Sequence, residues 1–445
     1  MDSILIITFI VGYLLIVLEG HLGINKAAFA LIMCGVLWSI VLVNGDHSLV
    51  SEAIISHLGD TAEILLFLIG AMTIVDLIDR HDGFDVITKR ITCRNKIALL
   101  WVLVFITFFM SAVLDNMTTT IIMIVLLRKL LSERKDVMLF ASMIVIAANS
   151  GGAWSPIGDV TTLMLWMKEN VTSLPLVSYL IVPCIVSVVV PAAFVSMRLR
   201  GTDMECKRIN HTVYAHETVV GKRFRISVLV LGVMGLLSVP ILKTFVGLPP
   251  YMSALLSLGV IWIVTDCAYN HKTHIDERRK NRVVRVLRKI DMSTILFFFG
   301  ILMAVSALQY TGILSRLAEL LDGSLHNVYA IVGSIGVISS IVDNVPLVAA
   351  CMGMYPVVDP VTLTGVADSA YLMNFVQDGP FWQLLAYCAG VGGSMLIIGS
   401  AAGVVAMGLE KINFGWYFKN ITLLAFLGYV AGLAIIFLED LIFKI

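Results

Sequence analysis

Three short stretches carry residues able to do chemistry in otherwise apolar surroundings. "VLDNMTTT" presents Asp115, Asn116, Thr118 and Thr119, and "VDNVPLVAA" presents Asp343 and Asn344, with Ser339 and Ser340 just ahead. "NSGGAWSPIGDVTTLMLW" brings Asn149, Ser150, Ser155, Asp159, Thr161 and Thr162 together. Neutral oxygens beside a carboxylate suit a hard monovalent cation, and no Cys or His cluster points to a transition metal. A buried carboxylate can hold a proton or help hold a cation, but not both well. Asp115 and Asp159 are the expected places for that competition, with Asp343 as a second candidate.

The elements that position these residues follow from composition. The chain has 445 residues, 59% hydrophobic and 14% charged, with mean hydropathy +0.94. Soluble domains carry roughly 25% charged residues, so an all-α integral membrane protein is expected. Apolar runs recur at the length a helix needs to cross a bilayer core of about 30 Å. The seven cysteines lie singly and are expected to pack as thiols. Net charge is zero, no nucleotide-binding loop appears, and neither a cofactor nor a nucleic-acid partner is expected.

Of the 31 Lys and Arg, 24 fall in segments 80–96, 127–136, 198–225 and 268–290, which the positive-inside rule assigns to the cytoplasm. Residues 97–126, between two of these segments, are too few for two crossings of at least ~17 residues each. A re-entrant hairpin over 97–131, its polar tip at "VLDNMTTT", removes the conflict. Polar backbone at that depth must be covered by protein or line a water-filled cavity. About ten crossings and two hairpins result, with both termini outside the cytoplasm.

The chain also repeats itself. "LFLIG" ending at Gly70 recurs as "LFFFG" ending at Gly300; Asp115-Asn116 recurs 228 residues later; Gly151-Gly152 recurs as Gly392-Gly393, 241 residues later. A duplication is expected, its copies inverted in the membrane, which is the architecture of secondary transporters. N-terminal scaffold helices occupy 1–60. The first repeat, 61–197, holds the hairpin and a broken helix over 138–168. A cytoplasmic loop (198–225), connecting helices (226–269) and a basic cytoplasmic loop (270–290) follow. The second repeat, 291–445, holds a hairpin over 327–356 and a broken helix over 381–409. Gly151, Gly152, Pro156, Gly158, Gly392, Gly393 and Gly399 are expected to unwind the broken helices. Ser394 and Ser400 join the candidate ligands. Glu63 is a candidate for a proton path, and His81, His211, His216, His271 and His274 for pH sensing.

With these motifs in place, "NSGGAWSPIGDVTTLMLW", "LDNMTTT", "VDNVPLVAA" and "GGSMLIIGSAAGVVAMG" together resemble the NhaD-type sodium/proton antiporters of the ion transporter superfamily. The resemblance runs over roughly residues 60–440. It implies efflux of Na⁺, with Li⁺ as a further cargo, in exchange for H⁺ in a bacterial inner membrane. It also implies an elevator-like movement and a homodimer. By motif position it implicates Asp115, Asn116, Asn149, Asp159, Thr161, Thr162, Ser339, Asp343, Asn344, Ser394 and Ser400, with Na⁺ at Asp115, Asn116, Asp159 and Thr161. The alternatives are an anion permease for arsenite or carboxylates, which would want a cationic or hydroxyl-only site, and an intramembrane enzyme. No H-E-x-x-H or G-x-S-x-G motif supports the latter.

Overall fold

Capping chemistry sets where many of the helices begin. Asn25, Asp46 and Asn95 each accept a backbone N–H with their side chains and open the helices Lys26–Asn44, His47–Arg80 and Lys96–Leu114. The structure, a computed structural model, describes residues 1–84, 95–131, 133–199, 221–270, 282–363 and 368–443. Most of the loops 198–225 and 270–290, much of the basic segment 80–96, and His211, His216, His271 and His274 lie outside the described residues. Among the described residues, nine helices are long and apolar enough to cross a membrane and no β-strand forms. Phe245, Ile263 and Leu423 are among many large apolar side chains left exposed, as expected where lipid is the solvent.

Residues 61–79, at the start of the expected first repeat, belong to one helix, His47–Arg80, of 34 residues. At 1.5 Å per residue it is about 51 Å long and outreaches a bilayer core. Its first turns carry Glu52, His57 and Asp60, so apolar run length alone does not reveal them.

Four helices are interrupted. Lys96–Leu114 and Asn116–Leu130 meet at Asp115, whose φ of 73° reverses the chain. Val328–Ile338 and Asn344–Met354 are joined through residues 339–343. Arg134–Ala153 breaks before Val160–Met167, and Pro380–Gly392 breaks before Ala401–Glu410.

Polar contacts show which ends share a side. Lys96 Nζ lies 2.7 Å from Asp136 and 3.8 Å from Glu133, so the first pair enters and leaves on one side. Arg128 holds Glu410 at 2.6 Å, which puts the end of the second broken helix on that side too. At the other side, Asp378 accepts from the Thr172 backbone (2.6 Å) and hydroxyl (2.7 Å), joining the end of the first broken helix to the start of the second. Tyr355, at the exit of the second pair, donates to Asp322, which precedes its entrance. The two copies therefore run in opposite directions.

The repeat is visible in single atoms. Ser111 Oγ donates to the Ala148 carbonyl at 2.6 Å, and Ser339 Oγ to the Ala389 carbonyl at 2.9 Å, at the same offsets of 228 and 241 residues that separate the sequence motifs. A Cβ on Gly151 would sit 2.2 Å from the Phe108 carbonyl oxygen, and one on Gly392 would sit 2.2 Å from that of Gly336. This corrects one expectation: Gly151 and Gly152 do not unwind their helix. Both are helical, as is Gly392, and Gly393 is that helix's C-cap. Gly151 and Gly392 let a hairpin backbone pack directly on the broken helix. The interruptions are residues 154–159, which include Pro156 and Gly158, and residues 393–400, which include Gly399.

Because the obstacle is backbone, Gly392→Ala is expected to destabilise the protein by about 1–3 kcal/mol, the range for overpacking. Gly408→Ala, with nothing within 4 Å of the new methyl, should be silent. Melting temperatures of the two variants in detergent check this.

Candidate functional site

Each interruption is followed by a helix whose first turn points inward and is capped by a candidate residue. Asp115 caps Asn116–Leu130, Asp159 caps Val160–Met167, Asp343 caps Asn344–Met354 and Ser400 caps Ala401–Glu410. A helix N-terminus carries a partial positive charge and free N–H groups, which favour a carboxylate there. The acids are thus helix caps and site residues at once.

Asp159 is the centre. Its Oδ2 accepts from Asn116 Nδ2 at 3.0 Å and from Asn344 Nδ2 at 3.2 Å, so the tips of both folded-back pairs meet on one oxygen. Its Oδ1 accepts from the Thr161 backbone N–H at 3.3 Å. Asn116 Nδ2 also donates to Asn149 Oδ1 at 3.1 Å. Asn149 in turn donates to Ser394 Oγ at 2.9 Å and Ser400 Oγ at 2.8 Å. Six side chains from all four interrupted helices form one network, and each is buried. Among the described residues no Lys, Arg or His pairs with Asp159. Two hydroxyls, Thr161 Oγ1 and Thr119 Oγ1, are buried without a hydrogen-bond partner. Such orphaned oxygens are costly unless something else uses them.

The other expected residues lie at varying distances from this centre. Asp115 turns its carboxylate back on the Thr118 N–H (2.9 Å) and hydroxyl (2.7 Å), on the wall of the cavity that reaches Asp159. Thr162 donates to the Asp159 carbonyl, and Ser155 donates to the Ala112 carbonyl. Ser339 spends its hydroxyl on the Ala389 carbonyl, Ser340 donates to the Val337 carbonyl, and Ser150 bonds Ser187. These hydroxyls hold backbone and packing together rather than facing the network. Glu63 lines neither of the two cavities described below; it lies in electrostatic reach of Lys243, beside the end of the first broken helix.

Sequence reasoning missed Ser111 and Lys26. Ser111 could have been found by applying the 228-residue offset to Ser339. Lys26 could not, because it begins a helix remote in sequence, yet its ammonium sits 3.2 Å from Asp343.

A cavity of about 320 Å³ leads to the network. Asp115, Asn116, Asp159 and Asp343 line one part, and Glu19, Asp291 and Thr294, near the starts of outer helices, line another. A second cavity, of about 260 Å³, lies toward the other end of Met292–Tyr310, between His57, Lys168, Gln309 and Tyr355. Lys168 pairs with Asp60 there at 2.5 Å, and this cavity does not touch Asp159. Of these two cavities, the larger one reaches the centre. Among the described residues no cluster of His, Cys, Asp and Glu is disposed to hold a metal cofactor.

Comparison with known proteins adds to this geometry. The chain matches the model of the citrate transporter family over residues 13–373. Sodium/proton antiporter 1 of Arabidopsis thaliana is 43% identical to it over 438 residues, 97% of this chain and 72% of that protein. Sodium/proton antiporter 2 of the same plant is 42% identical, over 95% of this chain and 96% of its own. The Na⁺/H⁺ antiporter NhaD of Vibrio cholerae is 30% identical over 459 residues, 97% of this chain and 90% of its own. These similarities make the protein a multi-pass membrane transporter and not an enzyme. On these matches the chain belongs to the citrate transporter family and, within it, to the NhaD-type sodium/proton antiporters.

Proposed function

We propose that the protein exchanges Na⁺ for H⁺ at Asp159, the two ions taking turns at one carboxylate. The observation that carries this reading is a buried acid with no protein cation beside it among the described residues and with the buried hydroxyl of Thr161 two residues along the chain. A carboxylate so placed is neutralised by whichever cation reaches it, because an isolated buried charge costs several kcal/mol or more. With Na⁺ the ligands are Asp159, the Asn116 side-chain oxygen once its amide turns, and the Thr161 hydroxyl. With H⁺ the carboxyl group keeps its amide neighbours. Asp115, on the same cavity wall, is the second acid for the exchange. Relatives named as sodium/proton antiporters support the cargo.

The four basic segments support a cytoplasmic location for the side on which Lys96 and Arg128 lie. On that assignment both termini are outside the cytoplasm, the folded-back pairs are re-entrant hairpins, and the larger cavity opens inward. Li⁺ as a further cargo, a homodimer and a bacterial inner membrane belong to the same reading and rest on the likeness to the NhaD type. The plant relatives share more of the sequence, and the exchange chemistry is the same in any energised membrane.

The name of the matching family raises a second reading, a carboxylate cargo. The site opposes it. Asp115, Asp159 and Asp343 all line the cavity, and like charges at close range repel. Lys26 is the only Lys or Arg on its wall among the described residues, and it is already paired.

Proteoliposomes carrying a pH-sensitive dye test the proposal. NaCl is expected to dissipate an imposed pH gradient, and Asp159→Ala and Asp115→Ala to abolish the response; movement driven by citrate but not by Na⁺ would refute it. Thr161→Val probes the ligand set. Losing one oxygen ligand is expected to raise half-saturating Na⁺ about ten-fold, corresponding to ~1.4 kcal/mol, while the melting temperature stays level, since valine keeps the shape of the buried threonine side chain.

A further inference from the structure

The two tip acids are equivalent by repeat, yet their surroundings differ. Asp115 meets the Thr118 N–H and hydroxyl of its own helix. Asp343 is gripped from outside the repeat core. Lys26 Nζ lies 3.2 Å from its Oδ2, and its backbone N–H donates to Tyr13 Oη at 3.0 Å. Lys26 begins the helix Lys26–Asn44, and Tyr13 belongs to the helix Asp2–Val17. The Lys26 ammonium also stands 4.1 Å from the centre of the Phe297 ring, a cation–π distance. Both partners of the ion pair are largely withdrawn from solvent, with 24% and 15% of their side-chain surface exposed.

An ammonium is a monovalent cation. At Asp343 it takes the place a transported ion would otherwise take, one residue from Asn344, which bonds Asp159. We propose that Lys26 is a resident counter-cation. By occupying Asp343 it confines the mobile cation to the Asp159 side of the site, and it thereby sets the affinity of the exchange and how many cations the site can hold. The ion pair also spans two sets of helices: Lys26–Asn44 packs on Met292–Tyr310 and Asp2–Val17, while Asp343 belongs to the hairpin tip. The inference rests on the Na⁺/H⁺ reading and deepens it, since a charge matched by a built-in lysine is removed from exchange without being removed from the cavity.

The test is a charge cycle read as half-saturating Na⁺ in proteoliposomes. Lys26→Met bares a carboxylate beside the site, and half-saturating Na⁺ is expected to fall about five-fold. Asp343→Asn leaves an unmatched ammonium facing the entering ion, and it should rise about five-fold, the scale of one charge at a few ångströms screened as strongly as in water. Lys26→Met combined with Asp343→Asn is expected to return within about two-fold of wild type, the two charges acting as one pair. Lys26→Arg retains the charge and should match wild type. Lys26→Gln replaces Lys26→Met if the latter does not reach a wild-type melting temperature. Single variants shifting in the same direction, or a neutral Lys26 variant with unchanged half-saturation, overturn the assignment. A wild type that does not respond to Na⁺ overturns the antiport reading and this inference with it. Where the wild type does respond, a failed charge cycle counts against Lys26 alone.

Discussion

A carboxylate removed from water needs partners, and Asp159 finds side-chain partners on two other segments of the chain. The amides of Asn116 and Asn344 reach it from the tips of two oppositely running helix pairs. Hydrogen bonds to a charged group are worth about 1.5–3 kcal/mol each, so neither tip can withdraw without cost to the whole centre. The helix interruptions follow from this constraint. A continuous helix satisfies its own backbone and presents only side chains. A broken one offers N–H groups and a cap position, and four such starts converge here.

The inverted duplication supplies the frame, and departures from it supply the chemistry. Where the copies agree, some residues are structural, Ser111 and Ser339 holding carbonyls and Gly151 and Gly392 admitting a neighbouring backbone, and others, Asn116 and Asn344, meet on Asp159. Where they differ, charge is redistributed. Asp159 in the first copy corresponds to Ser400 in the second, so the centre holds one carboxylate rather than two. Ser400 instead receives Asn149, which ties the second broken helix to the first. Asp115 and Asp343 are the same residue by repeat, but an outer-helix lysine distinguishes them.

Much of the candidate site is legible in residue types, and the limits of that reading have physical causes. Asp159, Asn116, Asn149 and Asn344 stand out because polar groups in apolar runs are expensive. Their convergence follows from the repeat, and the distances give it a geometry. The Gly-Gly motif misleads because glycine has two uses, flexibility and the absence of a Cβ. Only the position of the Phe108 carbonyl shows that the second applies at Gly151. Hydroxyl residues mislead for the same kind of reason. Whether Ser339 faces an ion or bonds a carbonyl depends on its direction, which residue type does not encode.

The amino-acid order by itself determined an all-helical membrane protein, the duplication, and the positions of the interruptions to within a few residues. Hydrophobic run length, turn residues and basic-residue bias are local properties, and each leaves its mark along the chain. Tertiary structure alone decided which acid is matched by a protein cation. Lys26 and Asp343 are 317 residues apart, and electrostatic energy depends on separation in space, not on separation along the chain.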